Sequence, residues 1–287
     1  MHSVLRAIVE PGFFSNAEVQ LAAGVGAVVA LVAGAVGVFT VLRGQAFAGE
    51  ALGDIGAAGG SGAFLIGIPA LWGFVGIALA AAGVMEMIGI QRARGRDLAT
   101  GIVLGAGFGV AALLLYLETT LHNNTGVTVT ILFGSISALD RSVLAPALGL
   151  GAVAVAIIAV AFRPLLLSSV SPDLAAAQGL HVRLLGVLYL VALAVAVALS
   201  AITIGAILST ALLIGPAATA LLLTARPGRA IACAGAIGLA ATWLGVLLDY
   251  DSYDWGGHGW PASFFVVTLV LIGYLAARAL TRRSLRH

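Results

Sequence analysis

Apolar residues along this chain neither alternate nor keep to one helical stripe. They fill the sequence in runs of about twenty, separated by short polar clusters. A helix rises 1.5 Å per residue, so about 20 apolar residues cross the roughly 30 Å hydrocarbon layer of a bilayer. Nine spans are predicted on that rule, over residues 19–42, 46–66, 70–90, 98–117, 143–162, 184–203, 204–223, 230–248 and 262–280. Two boundaries need argument. Residues 184–223 carry no charge, and as one helix they would be about 60 Å long, twice the hydrocarbon thickness. The run must reverse, and 200–205 is its weakest stretch. Residues 46–90 are also nearly continuous, with breaks offered by Gly59-Gly60-Ser61-Gly62 and Gly67-Ile68-Pro69.

Composition leaves few other classes open. Of 287 residues 61% are hydrophobic and 9% charged, with a mean hydropathy of +1.12. A soluble domain carries about 25% charge. The 14 basic and 12 acidic side chains here cannot cover a water-facing surface, and disordered chains have the opposite bias. An all-α polytopic membrane protein follows, read as a single transmembrane domain over 1–287, because helices satisfy their own backbone in lipid. Lysine is absent, so a Walker A loop, which needs one, is excluded. The lone Cys233 lies in an apolar run and predicts a buried, inert thiol rather than a disulfide or metal cluster. Residues 1–18 carry Arg6 and Glu10 without an apolar core, so no cleavable signal peptide is expected.

Charge then orients the spans. Cytoplasmic loops collect positive residues. With the C-terminus inside, Arg43, Arg92, Arg94, Arg96, Arg163, Arg183, Arg226, Arg229, Arg278, Arg282, Arg283 and Arg286 are cytoplasmic, and only Arg6 and Arg141 lie outside. An eight-span arrangement inverts half the loops and loses that asymmetry. The outer side gathers Glu10, Glu18, Glu118, Asp140, Asp249, Asp251 and Asp254, and the N-terminus is placed there. This clustering accounts for the basic pI without nucleic acid as a partner. The glycines within spans, such as Gly24, Gly26, Gly34, Gly37, Gly105, Gly107 and Gly109, read as surfaces where helices approach closely.

Three acids fall inside predicted spans, where ionisable groups are costly. Glu86 stands six residues before Arg92, and snorkelling or ion pairing explains it. Glu50 and Asp54 are spaced i, i+4 and project from one helix face. Two such carboxylates repel in low dielectric unless a cation or a proton lies between them. A divalent ion, proton chemistry and a solvated structural pair all remain open on spacing alone. The outer segment Asp249–His258 reads as interfacial, with a cation-attracting mouth as its alternative. The loop over 118–142 reads as a lid or re-entrant segment, or as a docking rim. On the other side, Ser171-Pro172-Asp173 is a helix start and Gly179 a stop, predicting a two-turn helix too short to span anything.

These residues resemble the membrane permease of metal-ion ABC importers, over roughly 12–280. Val41-Leu42-Arg43, then Gly49-Glu50-Ala51-Leu52-Gly53-Asp54, parallel that family's Val-Leu-Arg and Gly-Asp-Ala-x-Ser-His. Asp97 to Val103, Leu132-Phe133-Gly134 and Ser171 to Gly179 match three further elements. Gly205-Ala206-Ile207-Leu208, leading to Ala211-Leu212-Leu213-Ile214-Gly215-Pro216-Ala217-Ala218-Thr219-Ala220, matches most specifically. The resemblance implies a non-enzymatic subunit working with a cytoplasmic ATP-binding subunit, an extracytoplasmic metal-binding protein and a second permease copy. It implies that Glu50 and Asp54 line the metal path, and that Pro172, Asp173, Ala177 and Gly179 belong to the helix coupling to the ATPase. No cofactor is expected to stay bound; the transported ion is zinc or manganese, with zinc placed slightly ahead on the family's weight. Where the family has Asp and His, this chain has Glu50 and Asp54, replacing a nitrogen ligand by oxygen and drifting toward manganese. A proton-coupled secondary transporter using the same pair is the alternative.

Overall fold

The computed structural model describes residues 16–89, 93–122, 125–134, 136, 139–256 and 260–284, and the described residues are helical without strands. In chain order the helices are α1 (Ala17–Leu42), α2 (Ala46–Leu65), α3 (Ala70–Ile88), α4 (Ala93–His122), α5 (Thr125–Phe133) and α6 (Leu144–Val160). There follow α7 (Phe162–Val170), α8 (Pro172–Ala177), α9 (Val182–Ile204), α10 (Ala206–Leu223), α11 (Pro227–Gly256) and α12 (Ala262–Ser284). Eight of them contain stretches long and apolar enough to cross a membrane. The remaining predicted span is α2, a 20-residue helix whose hydropathy is lowered by Glu50, Asp54 and its glycines. It is packed mainly against α3 and α4 and touches α9 and α10. Most of its surface is therefore held by protein rather than exposed to lipid.

The bundle has an inside and an outside that the sequence does not rank. In α9, 83% of the apolar window is buried and in α1 72%, whereas α6 shows 22% and α12 only 17%. Helices apolar all round are enclosed when other helices surround them and face lipid when they do not. Close packing depends on glycine at a few crossings. A Cβ at Gly37 of α1 would run into the Leu213 carbonyl of α10, and Gly59 of α2 and Gly73 of α3 each occupy the space a Cβ on the other would need. The Gly59–Gly62 stretch is therefore a helix-crossing surface, and α2 runs through it to stop at Gly67-Ile68-Pro69. Gly107 packs on the Ile55 backbone, but Gly105 and Gly109 meet nothing, so only part of that glycine pattern makes a packing face.

The uncharged run 184–223 reverses at a single residue. Gly205 has φ +92°, closing α9 and opening α10. It faces Gly134 (φ +79°) at the end of α5, and each backbone fills the place of the other's missing side chain. Leu132-Phe133-Gly134 is thus the end of a nine-residue helix laid against α2, α4, α9 and α10. This agrees with a segment that packs on the bundle.

Several expectations are corrected. Asp249 to Gly256 continues α11 as helix rather than forming a loop, and Asp251 and Ser252 are buried. Tyr250 packs against the cluster of Val19, Ala22, Ile136, Val246 and Ala262, and the Ser252 hydroxyl receives the Trp260 N–H at 2.9 Å. Glu118 lies within α4 and is buried. Cys233 is only half-buried, at the edge of a cluster formed by α1, α10 and α11. Glu86 pairs with Arg183, Nε to Oε1 3.4 Å; Arg92, its expected partner, lies outside the described residues, as do residues 1–15 and 257–259.

Candidate functional site

The site begins where α1 hands over to α2. Gln45 caps α2 and donates its N–H to the Thr40 carbonyl at 2.9 Å, so the two helices join by a tight turn. From there one stripe of α2 carries Phe47, Glu50 and Asp54, at helical spacing. Phe47 is 74% exposed, Glu50 is exposed and Asp54 is 6% exposed. The stripe therefore leads from an open surface to a buried carboxylate. The Asp54 Oδ2 has no hydrogen-bond partner. Beside it, Gly49 and Gly53 bring α2 against Leu193 and Val197 of α9 and Ser209 and Leu213 of α10. Small residues on one flank thus seat the helix while the acids occupy the next.

Burying a charged carboxylate with an oxygen left unpaired is expensive, about several kcal/mol in a low-dielectric setting. A cation that arrives transiently would offset that cost. Among the described residues no three His, Cys, Asp or Glu side chains group as a metal site. The two acids put carboxylate oxygens, and no nitrogen or sulfur ligand, on this stripe of α2.

The predicted short helix is present at the face where α1 ends. Ser171 caps α8, its Oγ accepting the Leu174 N–H at 3.4 Å, Pro172 occupies the first turn, and Asp173 follows. Gly179, at φ +77°, ends the turn after Ala177. Ala175 is buried and anchors the helix, while Pro172, Asp173, Leu174, Ala177 and Gly179 are exposed. Its geometry is a small protruding knob between α7 and α9. Asp54 and the knob are brought to the same bundle but not into contact.

One charged residue at this face was not singled out in the sequence. Arg43, the C-cap of α1, donates from Nη1 to Ser168 Oγ at 3.2 Å and Ser169 Oγ at 3.4 Å, both on α7. Its guanidinium carbon lies 4.9 Å from the ring centroid of Tyr189 on α9. The Tyr189 hydroxyl in turn donates to Thr40 Oγ1 at 2.9 Å. The only signal in the sequence was its place in Val41-Leu42-Arg43, and an arginine at a helix end otherwise reads as a cytoplasmic loop charge.

A helical bundle with eight apolar membrane-length stretches has the build of a multi-pass membrane protein. The chain belongs to the ABC 3 transport family, which matches residues 16–278. It is accordingly a permease subunit of an ABC transporter in the cell membrane, not an enzyme. It is 31% identical over 240 residues to the manganese transport system membrane protein MntC of Halalkalibacterium halodurans, covering 83% of this chain and 81% of that protein. The MntC of Listeria innocua is 29% identical over 278 residues, 95% of this chain and 94% of that protein. Among solved structures, PsaBC from Streptococcus pneumoniae in complex with Fab matches with a TM-score of 0.78 and 28% identity, over 93% of this chain and 92% of that one.

Proposed function

We propose that this chain is the membrane permease of an ABC importer for a divalent metal ion, manganese foremost. The observation that carries the reading is the stripe from exposed Glu50 to buried Asp54, whose Oδ2 has no hydrogen-bond partner, on a helix enclosed by protein. Two carboxylates without nitrogen or sulfur ligands suit a hard ion such as Mn²⁺, and both relatives named above are manganese proteins by name. Zinc, put first from the resemblance alone, therefore gives way to manganese. A weak oxygen pair binds the ion well enough to accept it and loosely enough to release it.

In this reading 1–287 forms one permease domain with nine crossings, the N-terminus outside and α8 in the cytoplasm. An extracytoplasmic metal-binding protein delivers the ion, and two permease copies enclose the path. The exposed knob Pro172, Asp173, Ala177 and Gly179 seats in a separate ATP-binding subunit, whose closure rocks the helices. The proton-driven alternative needs no such subunit, and membership in an ABC family speaks against it.

The test is radiolabelled Mn²⁺ uptake into vesicles holding the permease and its ATPase, with the binding protein supplied. Glu50→Gln combined with Asp54→Asn should lower uptake at least tenfold at unchanged protein level. Undiminished uptake removes the pair from the path.

A further inference from the structure

We infer that Arg43 is a positioning residue that transmits movement of α8 to the acid-bearing helix α2. The inference rests on the importer reading above and assigns a role to a residue outside the metal path. The route is continuous from group to group. Ser168 and Ser169 stand on the last turn of α7, directly before Ser171 and α8. Arg43 grips both hydroxyls from the end of α1. Its guanidinium lies over Tyr189, whose hydroxyl bonds Thr40. The Thr40 carbonyl receives the N–H of Gln45, the cap of α2, five residues before Glu50.

The chemistry of each link suits force rather than mere solvation. Arginine offers a planar fork that can bond in its plane and stack on an aromatic face at once, which an ammonium cannot reproduce. An arginine placed only to meet water would extend from the helix end; this one turns inward to α7 and α9. Tyr189, Thr40 and Ser168 are all buried, so their bonds face little competition from water. Phe162 at the start of α7 adds an edge-on ring contact to Phe39 of α1, with centroids 5.8 Å apart. The far side of α8 is tied separately, through Arg183 at the start of α9 to Glu86 of α3. The loop carrying the knob is thus held at both ends, and the α7 end is the one that leads to α2.

The proposal is checked in proteoliposomes holding the complete permease–ATPase complex, with binding protein and Mn²⁺, measuring uptake and ATP hydrolysis on the same vesicles. Arg43→Gln should cut uptake at least tenfold while hydrolysis stays within about twofold of the unaltered complex. The double variant Ser168→Ala with Ser169→Ala keeps the charge of Arg43 and should shift the uptake-to-hydrolysis ratio in the same direction. Arg43→Lys should fall between. If Arg43→Gln does not assemble, the serine pair, which removes only two oxygen atoms, decides the matter. An unchanged ratio, or uptake and hydrolysis falling together, overturns the strut. Failure of the unaltered complex to move Mn²⁺ sinks the importer reading instead, so the two failures are distinct.

Discussion

Asp54 is a residue whose charge works against the stability of the fold. Its carboxylate is buried and Oδ2 lacks a partner. An ionisable group at such a place costs about 3 kcal/mol or more when charged. Asparagine has nearly the same shape without the charge. Asp54→Asn should therefore leave the thermal unfolding temperature of the purified permease unchanged or higher, while metal uptake falls. A lowered unfolding temperature would show instead that the carboxylate supports the packing of α2. Glu50 and Asp54 were legible in the sequence because charge is rare in an apolar run. Arg43 was not, because its meaning lies in Ser168, Ser169 and Tyr189, more than a hundred residues away.

At the scale of elements, the helices owe their ends to local chemistry and their contacts to size. Gly205 turns the chain between α9 and α10, and Ser171 with Pro172 starts α8. The start of α8 was readable from residue types because cap geometry depends on the few residues involved, whereas the reversal was placed within 200–205 by the length of the uncharged run. Which glycines pack could not be read, since Gly37 and Gly105 look alike in sequence. In the fold the first touches the Leu213 carbonyl and the second meets open space. Gly37→Val should push α1 from α10 and cost several kcal/mol, read as loss of the monodisperse peak in detergent. Gly105→Ala should leave that peak unchanged. The stop of the outer segment was misjudged for a related reason: Asp249, Asp251 and Asp254 resemble a loop until α11 is seen to continue through them.

Across the whole molecule, polar and glycine contacts gather the helix ends into two groups. The ends of α1, α3 and α7 and the start of α9 gather at one face through Arg43–Ser168 and Arg183–Glu86. The end of α5 and the α9–α10 break gather at another place, near Gly134 and Gly205. A bundle in which α2 crosses the bilayer satisfies both groupings. With Cys233→Ser as background, Asn16→Cys and Asp140→Cys should react with an impermeant maleimide in intact cells. Arg226→Cys should react only after permeabilisation. Labelling of Asp140→Cys without Asn16→Cys would mean that α2 does not cross.

The class of protein, the position of most of the long apolar segments and the presence of an acid pair were legible in the sequence, because a bilayer imposes length and polarity on each segment separately. The ranking of helices from enclosed α9 to outlying α12, the burial of Asp54 against the exposure of Glu50, and the joining of Arg43 to α7 and α9 were decided only in three dimensions. In lipid, helices apolar on every side carry no stripe that marks their neighbours. Contact there depends on the fit of small residues and on a few polar bonds between distant parts of the chain.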